Sequence, residues 1–140
     1  MQNSYSLLDR GDEDGLVQLC AELGIAYAPF GPLAGGWLTG KYKRDEPAPE
    51  GSRMAMRPGP YEHLRRPETF DALDRLAEIA KRRGVDSGDA GDRLVARPAG
   101  SHGRRRWPSP AGAPGAGGVR ALEHPLSAAD AEEVGALFER

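Results

Sequence analysis

Glycine and proline punctuate this chain so unevenly that they decide where regular structure can form. Nineteen glycines and twelve prolines stand among 140 residues, against roughly 12% of average usage for the two together. Twelve of them crowd into Gly88 to Gly118, alongside five arginines, with apolar side chains largely confined to Leu94, Val95 and Trp107. Such a composition buries too little surface to offset the entropy of ordering it, so 88–118 reads as disordered. A second concentration runs from Phe30 to Pro60, where hydrophobic periodicity is absent and Lys41, Lys43, Arg44, Arg53 and Arg57 supply the cations. It reads as a long loop, and loops beyond about 15 residues in compact domains are usually functional or disordered. Regular elements are confined to what is left.

Three helices fit the remaining windows. Leu16, Val17, Cys20 and Leu23 form one apolar stripe at spacings of three and four, and the acidic run Asp9 to Asp14 offers N-caps and a favourably charged first turn. Those acids read as a solvated helix start rather than a catalytic cluster. Gly24 stands where a left-handed cap ends the helix. Ile25 to Ala28 then reads as a short buried strand stopped by Pro29, and helix, glycine, strand is the second half of a βαβ unit. Glu68 to Arg83 is the clearest helix: Phe70, Leu73, Leu76, Ala77, Ile79 and Ala80 keep helical spacing, Pro67 suits its start, and Lys81 to Gly84 close it. A last helix starts at Ser127, with Asp130 placed for a capping box, and runs through Val134, Leu137 and Phe138. Its apolar face needs a partner.

Charge and chemistry narrow the function classes. The formal net charge is -2, which argues against a wholly basic nucleic-acid binder. No run of about 20 apolar residues is present to span a membrane, and no secretory signal opens the chain, so a cytoplasmic address is the default. The lone Cys20 excludes an internal disulfide, and His63, His102 and His124 have no metal-ligand spacing. No catalytic residue and no metal site are expected. Arg104, Arg105, Arg106 and Trp107 combine charge with an aromatic in the manner of a single-strand nucleic-acid contact, which leaves a non-catalytic interaction peptide as the alternative reading. The glycines of Leu33-Ala34-Gly35-Gly36 let backbone amides approach a phosphate.

Taken in order, QNSYSLLDRGDEDGL, GIAYAPFGPLAGGWLTGKY, GSR, the LAEIAKRRGV helix and the closing HPLSAADAEEVGALF strongly resemble the C-terminal part of a bacterial aldo/keto reductase. The resemblance covers residues 2 to 87 and 119 to 139. It implies the α/β class and the C-terminal part of a (β/α)8 TIM barrel, incomplete because two strands cannot close eight. Residues 1–87 are then a partial barrel with the region of strands six and seven, the cofactor loop and a helix; 88–118 is disordered or frameshifted; 119–140 ends in the barrel's C-terminal helix. The cofactor implied is NADP(H), and the substrate of intact relatives is a small-molecule carbonyl compound. Gln2 matches the glutamine that bonds the nicotinamide carboxamide. Phe30 falls where an aromatic ring stacks on the nicotinamide. Gly31, Pro32, Leu33, Ala34 and Gly35 match the loop along the pyrophosphate, and Lys41 and Arg53 match cations that approach its phosphates.

Two departures accompany the resemblance. The family's catalytic Asp, Tyr, Lys and His belong to the earlier half of the barrel, and Tyr5, Tyr27, Tyr42 and Tyr61 do not match the acid tyrosine. This chain alone is therefore expected to be inactive, with the missing N-terminal half as a candidate partner. In addition, Gly88 to Gly118 replaces an expected helix, strand and adenosine-phosphate loop. With GC-rich codons, Asp89 to Val95 read one nucleotide later begins Thr-Pro-Ala-Thr-Ala-Trp, and Arg104 to Trp107 becomes Val-Val-Gly. The expectation is a pair of compensating frameshifts flanking this stretch. A stop codon in the shifted frame of the gene would refute it.

Overall fold

The computed structural model describes residues 1–85, 87–88 and 127–138. In chain order they form β1 (Gln2–Ser4), a 3-10 turn (Gly11–Asp14), α1 (Leu16–Glu22), β2 (Ala28–Phe30), a second 3-10 segment (Ala34–Thr39), α2 (Arg53–Met56), a third (Gly59–Leu64), α3 (Pro67–Arg82) and α4 (Ala128–Ala136). The stretch 88–118 expected to be disordered or frameshifted, with Arg104 to Trp107, lies outside the described residues apart from Gly88. Among the described residues no helix is long and apolar enough to cross a membrane.

β1 and β2 pair in parallel, Gln2 opposite Ala28, Asn3 opposite Pro29 and Ser4 opposite Phe30. Parallel neighbours cannot be joined by a tight turn, so α1 supplies the crossover of a βαβ unit. The class is α/β, as the resemblance implied. The second strand lies later than the sequence indicated: Ile25 is exposed, and β2 runs through Pro29 instead of stopping before it. Alternate residues of a strand turn their amides to opposite sides. Ala28 N–H donates to the Met1 carbonyl and the Phe30 carbonyl accepts from Tyr5 N–H, so the Pro29 nitrogen faces away from β1, where it removes no ladder bond.

The acidic run is also placed differently. Gly15, not an aspartate, occupies the N-cap of α1, and no side chain caps that end. Asp12 instead accepts from Asn3 Nδ2 at 2.8 Å and from the Tyr27 hydroxyl at 2.6 Å. Glu13 accepts from the Tyr5 hydroxyl and from Arg10 Nε and Nη2 at 3.0 and 2.8 Å. The expected solvated helix start is a set of acceptors for buried tyrosines, because a tyrosine hydroxyl taken out of water needs a partner. With only seven residues, α1 turns Leu16, Val17 and Cys20 onto Tyr5 and Tyr27, while Leu23 leaves the stripe and stands 63% exposed.

The long loop from Phe30 to Pro60 contributes to the larger core, which its lack of periodicity did not indicate. Trp37, Leu38, Tyr42 and Met54 from this segment are buried together with Leu7, Leu64, α3 and α4. The Trp37 ring packs against Tyr42 at 5.1 Å and Phe70 at 5.4 Å between centroids, spacings at which tilted aromatic pairs are favourable. α3 forms as expected, with Phe70, Leu73, Leu76, Ile79 and Ala80 turned inward, while Ala77 of the expected set is exposed. The apolar face of α4 finds its partner here: Val134 is fully buried in the same cluster, and Leu137 and Phe138 pack against it. Polar ties of α4 include Arg82 to Glu133 at 2.7 Å and Arg10 Nη1 to the Gly135 carbonyl at 2.9 Å, the latter a cation at a helix C-terminus. The Asp130 side chain of the expected capping box lies outside those described.

Candidate functional site

The sheet has two unlike faces. Directly paired residues of a parallel ladder point the same way, and the side-chain period of two puts Gln2, Ser4, Ala28 and Phe30 on one face. Tyr5 and Tyr27 lie on the other, covered by α1. The first face ends at the C-terminal edge of β2 with Phe30, whose ring is 50% exposed. An apolar residue is thus left open on the same face as a polar amide. Gln2 is likewise exposed.

β2 runs straight into the glycine-rich turn. Gly31 has φ 71°, and the nearest atom to a side chain built there is Ser4 Oγ at 4.0 Å, so the backbone is approachable at this point. Ala34 holds φ 48°, a left-handed conformation that costs a non-glycine residue energy and that clusters at functional loops. Its amide donates to the Gly31 carbonyl, and the Gly36 amide to that of Leu33. Pro32 has no N–H, so among residues 31–35 amide donation to an outside anion falls to Gly31, Leu33 and Gly35. On its other side the turn is tightly covered: a Cβ on Gly35 would sit 2.7 Å from the Tyr61 ring, and one on Gly36 would meet Lys41 Cε at 2.3 Å. These glycines let the chain double back beneath two side chains.

Lys41 crosses that turn with Nζ 5.4 Å from the centre of the Tyr42 ring. Arg53 opens α2, whose N-cap Ser52 accepts from Ala55 N–H. Neither cation has an ion-pair partner among the described residues, whereas Arg44 pairs with Asp71 at 2.6 Å and lies over the Phe70 ring. Of the residues singled out in the sequence, the structure thus gathers Gln2 and Phe30 on one sheet face and Gly31 to Gly35 with Lys41 on the turn after it. Arg53 reaches the turn indirectly: Tyr42 donates its hydroxyl to the Gly35 carbonyl at 2.9 Å and accepts from the Met54 amide at 3.3 Å. Tyr42, inside the stretch read as loop, and Tyr61, just past it, were not singled out for this role. An aromatic beside the Gly40-Lys41 pair was the one available signal.

The four tyrosines differ in chemistry. Burial first, and then the carboxylates of Glu13 and Asp12, push the Tyr5 and Tyr27 hydroxyls well above the ordinary value of 10.0. Burial pushes the Glu13 carboxyl up too, but the hydrogen bonds from Arg10 and Tyr5 outweigh it and hold the group below its ordinary 4.5. These groups lie on the α1 side of the sheet, away from Phe30. Among the described residues no group of three or more His, Cys, Asp or Glu is placed to hold a metal.

Comparison with known proteins bears on the family and the fold. An aldo-keto reductase of Pseudocercospora fijiensis is 35% identical over 98 residues, 67% of this chain and 33% of that protein. An Escherichia coli protein named as an NADH-specific methylglyoxal reductase is 43% identical over 53 residues, 38% of this chain and 16% of its own. The chain spans a third or less of the curated relatives it matches. In fold it resembles a glycerol dehydrogenase of Gluconobacter oxydans with a TM-score of 0.76 at 19% identity, over 98% of this chain and 41% of that one. The family model for aldo/keto reductases matches residues 1–90, well over half of the chain, and the protein belongs to the aldo/keto reductase family.

Proposed function

We propose that this chain carries the nicotinamide and pyrophosphate side of an aldo/keto reductase site and performs no reduction by itself. The single observation that carries the reading is the continuous path from the open Gln2 and Phe30 face into the Gly31 to Gly35 turn with Lys41 across it. The residues fit a nicotinamide dinucleotide: a half-exposed ring to stack on, approachable backbone at Gly31, and two cations without ion-pair partners among the described residues. When bound, such a cofactor supplies a hydride for a carbonyl carbon. Phe30 would orient the ring by stacking and Gln2 would bond its carboxamide. The amides of Gly31, Leu33 and Gly35, with Lys41 and Arg53, would offset phosphate charge. The choice between NADPH and NADH rests on the resemblance, which favours NADPH.

A proton donor for the developing alkoxide is not offered by Tyr5, Tyr27 or Tyr42. Tyr5 and Tyr27 are held on the far face by carboxylates, and the Tyr42 hydroxyl is committed to Gly35. Titration of the purified 140-residue chain with NADPH and NADH, followed by saturation-transfer NMR, should give weak saturable binding that Phe30→Ala abolishes. Absence of saturable binding overturns the cofactor reading. Carbonyl-dependent oxidation of NADPH by this chain alone overturns the claim of inactivity. Restoration of turnover on co-expression with a polypeptide carrying the other barrel units would support a complementing partner.

A further inference from the structure

We propose that Tyr42 is the positioning residue of this site: one buried side chain sets the spacing of the glycine turn, Lys41 and the helix that carries Arg53. The inference rests on the cofactor reading above and deepens it. Four contacts converge on this side chain. The hydroxyl donates to the Gly35 carbonyl at 2.9 Å and accepts from the Met54 amide at 3.3 Å, using both its proton and a lone pair. Lys41 Nζ lies 5.4 Å from the ring centre, within reach of a cation–π attraction. Trp37 packs on the same ring at 5.1 Å, and its indole Nε1 has no hydrogen-bond partner among the described residues.

The geometry has a consequence for binding. α2 has four residues and cannot hold a fixed position by its own hydrogen bonds. Among the described residues, and apart from the Ser52 cap, which acts within the helix, Met54 N–H to Tyr42 is the direct polar bond from α2 to the turn side of the site. The orphan amides at a helix start seek such acceptors. A pyrophosphate bridging the turn and Arg53 needs both held at one separation before it arrives, and preorganisation of that kind raises affinity by removing an ordering cost. Tyr42 supplies it without touching the ligand.

Tyr42→Phe tests this, because it keeps the ring, the Trp37 packing and the Lys41 contact while deleting both hydrogen bonds. The expected result with the full chain is an NADPH dissociation constant raised about fivefold, with faster amide hydrogen exchange at Met54 and unchanged exchange around Tyr5, Cys20 and Tyr27. A merely structural role would lower the melting temperature and leave the affinity of the folded chain alone. Equal affinity and equal Met54 exchange in the two proteins overturn the proposal. If the unaltered chain binds neither NADPH nor NADH, the cofactor reading falls first, and unchanged Met54 exchange in Tyr42→Phe would then overturn the tie itself. Should that variant lose its fold, Ser52→Ala decides. It removes the cap within α2 but leaves the Tyr42 hydroxyl, so Met54 must stay protected, and loss of its protection sinks the proposal.

Discussion

Two cores lie in this molecule, and they are held by different physics. The small one, Tyr5, Cys20 and Tyr27 with Leu16 and Val17 against it, gathers residues from one βαβ unit. Its edge is fastened by carboxylates that come from a turn of the same unit. The large one joins Leu7, the 33–64 segment, α3 and the distant α4 through aliphatic and aromatic packing. The small cluster partners its tyrosine hydroxyls with carboxylates, whereas the large one partners its Tyr42 hydroxyl with backbone groups of Gly35 and Met54. The candidate site draws on both sides of this division: its sheet residues Gln2 and Phe30 lie on the face opposite the first core, and Tyr42 and Trp37 beneath the turn belong to the second.

The sharpest way to break that contrast is to open the large core. Leu76 is fully buried at the centre of α3, so Leu76→Ala should cost about 2–5 kcal/mol in a urea titration. A loss under 1 kcal/mol would mean the cluster is not packed as described. In the small core the polar fastener is the test. Tyr27→Phe keeps the ring, including its edge contact with Tyr5 at 6.3 Å, and should cost about 1.5 kcal/mol for a hydrogen bond to a carboxylate.

The smallest effect is a pH dependence. The Glu13 carboxyl is held below 4.5 when folded, so its contribution is present above that value and drains away as pH falls through the lower folded value. Glu13→Gln should therefore flatten the acid limb of a stability–pH curve just below pH 4.5, and an unchanged limb would remove Glu13 from the account. The tyrosines act with opposite sign. Their raised values give stability that is whole below 10.0 and is lost as pH climbs towards the folded values.

Much of this was legible from periodicity. α3 matches its expected span to within a residue, and α4 begins at Ala128, one position after the expected start. Gly24 and Gly84 take the left-handed conformation expected of helix-ending glycines. Each signal is local: a side-chain repeat or a backbone angle that the residue itself favours. The acids of 9–14 were misjudged because Asp and Glu before a helix carry the same local signal whether they cap it or turn back to a strand. What distinguished them was Tyr5 and Tyr27, brought close only when β1 and β2 pair. Pro29 was misjudged for a related reason. Whether a proline ends a strand depends on which neighbour its nitrogen would have faced.

The candidate site divides in the same way. The resemblance to aldo/keto reductases, carried by several motifs in order along the chain, is what nominates Gln2, Phe30, the Gly31 to Gly35 run, Lys41 and Arg53. That Gln2 and Phe30 share a face follows from a register set by pairing across 26 residues. That Trp37, Tyr42 and Met54 form core inside an apparent loop follows from positive backbone angles at Gly35 and Gly36, which erase any period of 2 or 3.6. Burial there is produced by non-repeating backbone closing on α3 and α4. Local chemistry is written residue by residue, but adjacency between distant segments is a property of packing, and packing chose which of those residues meet.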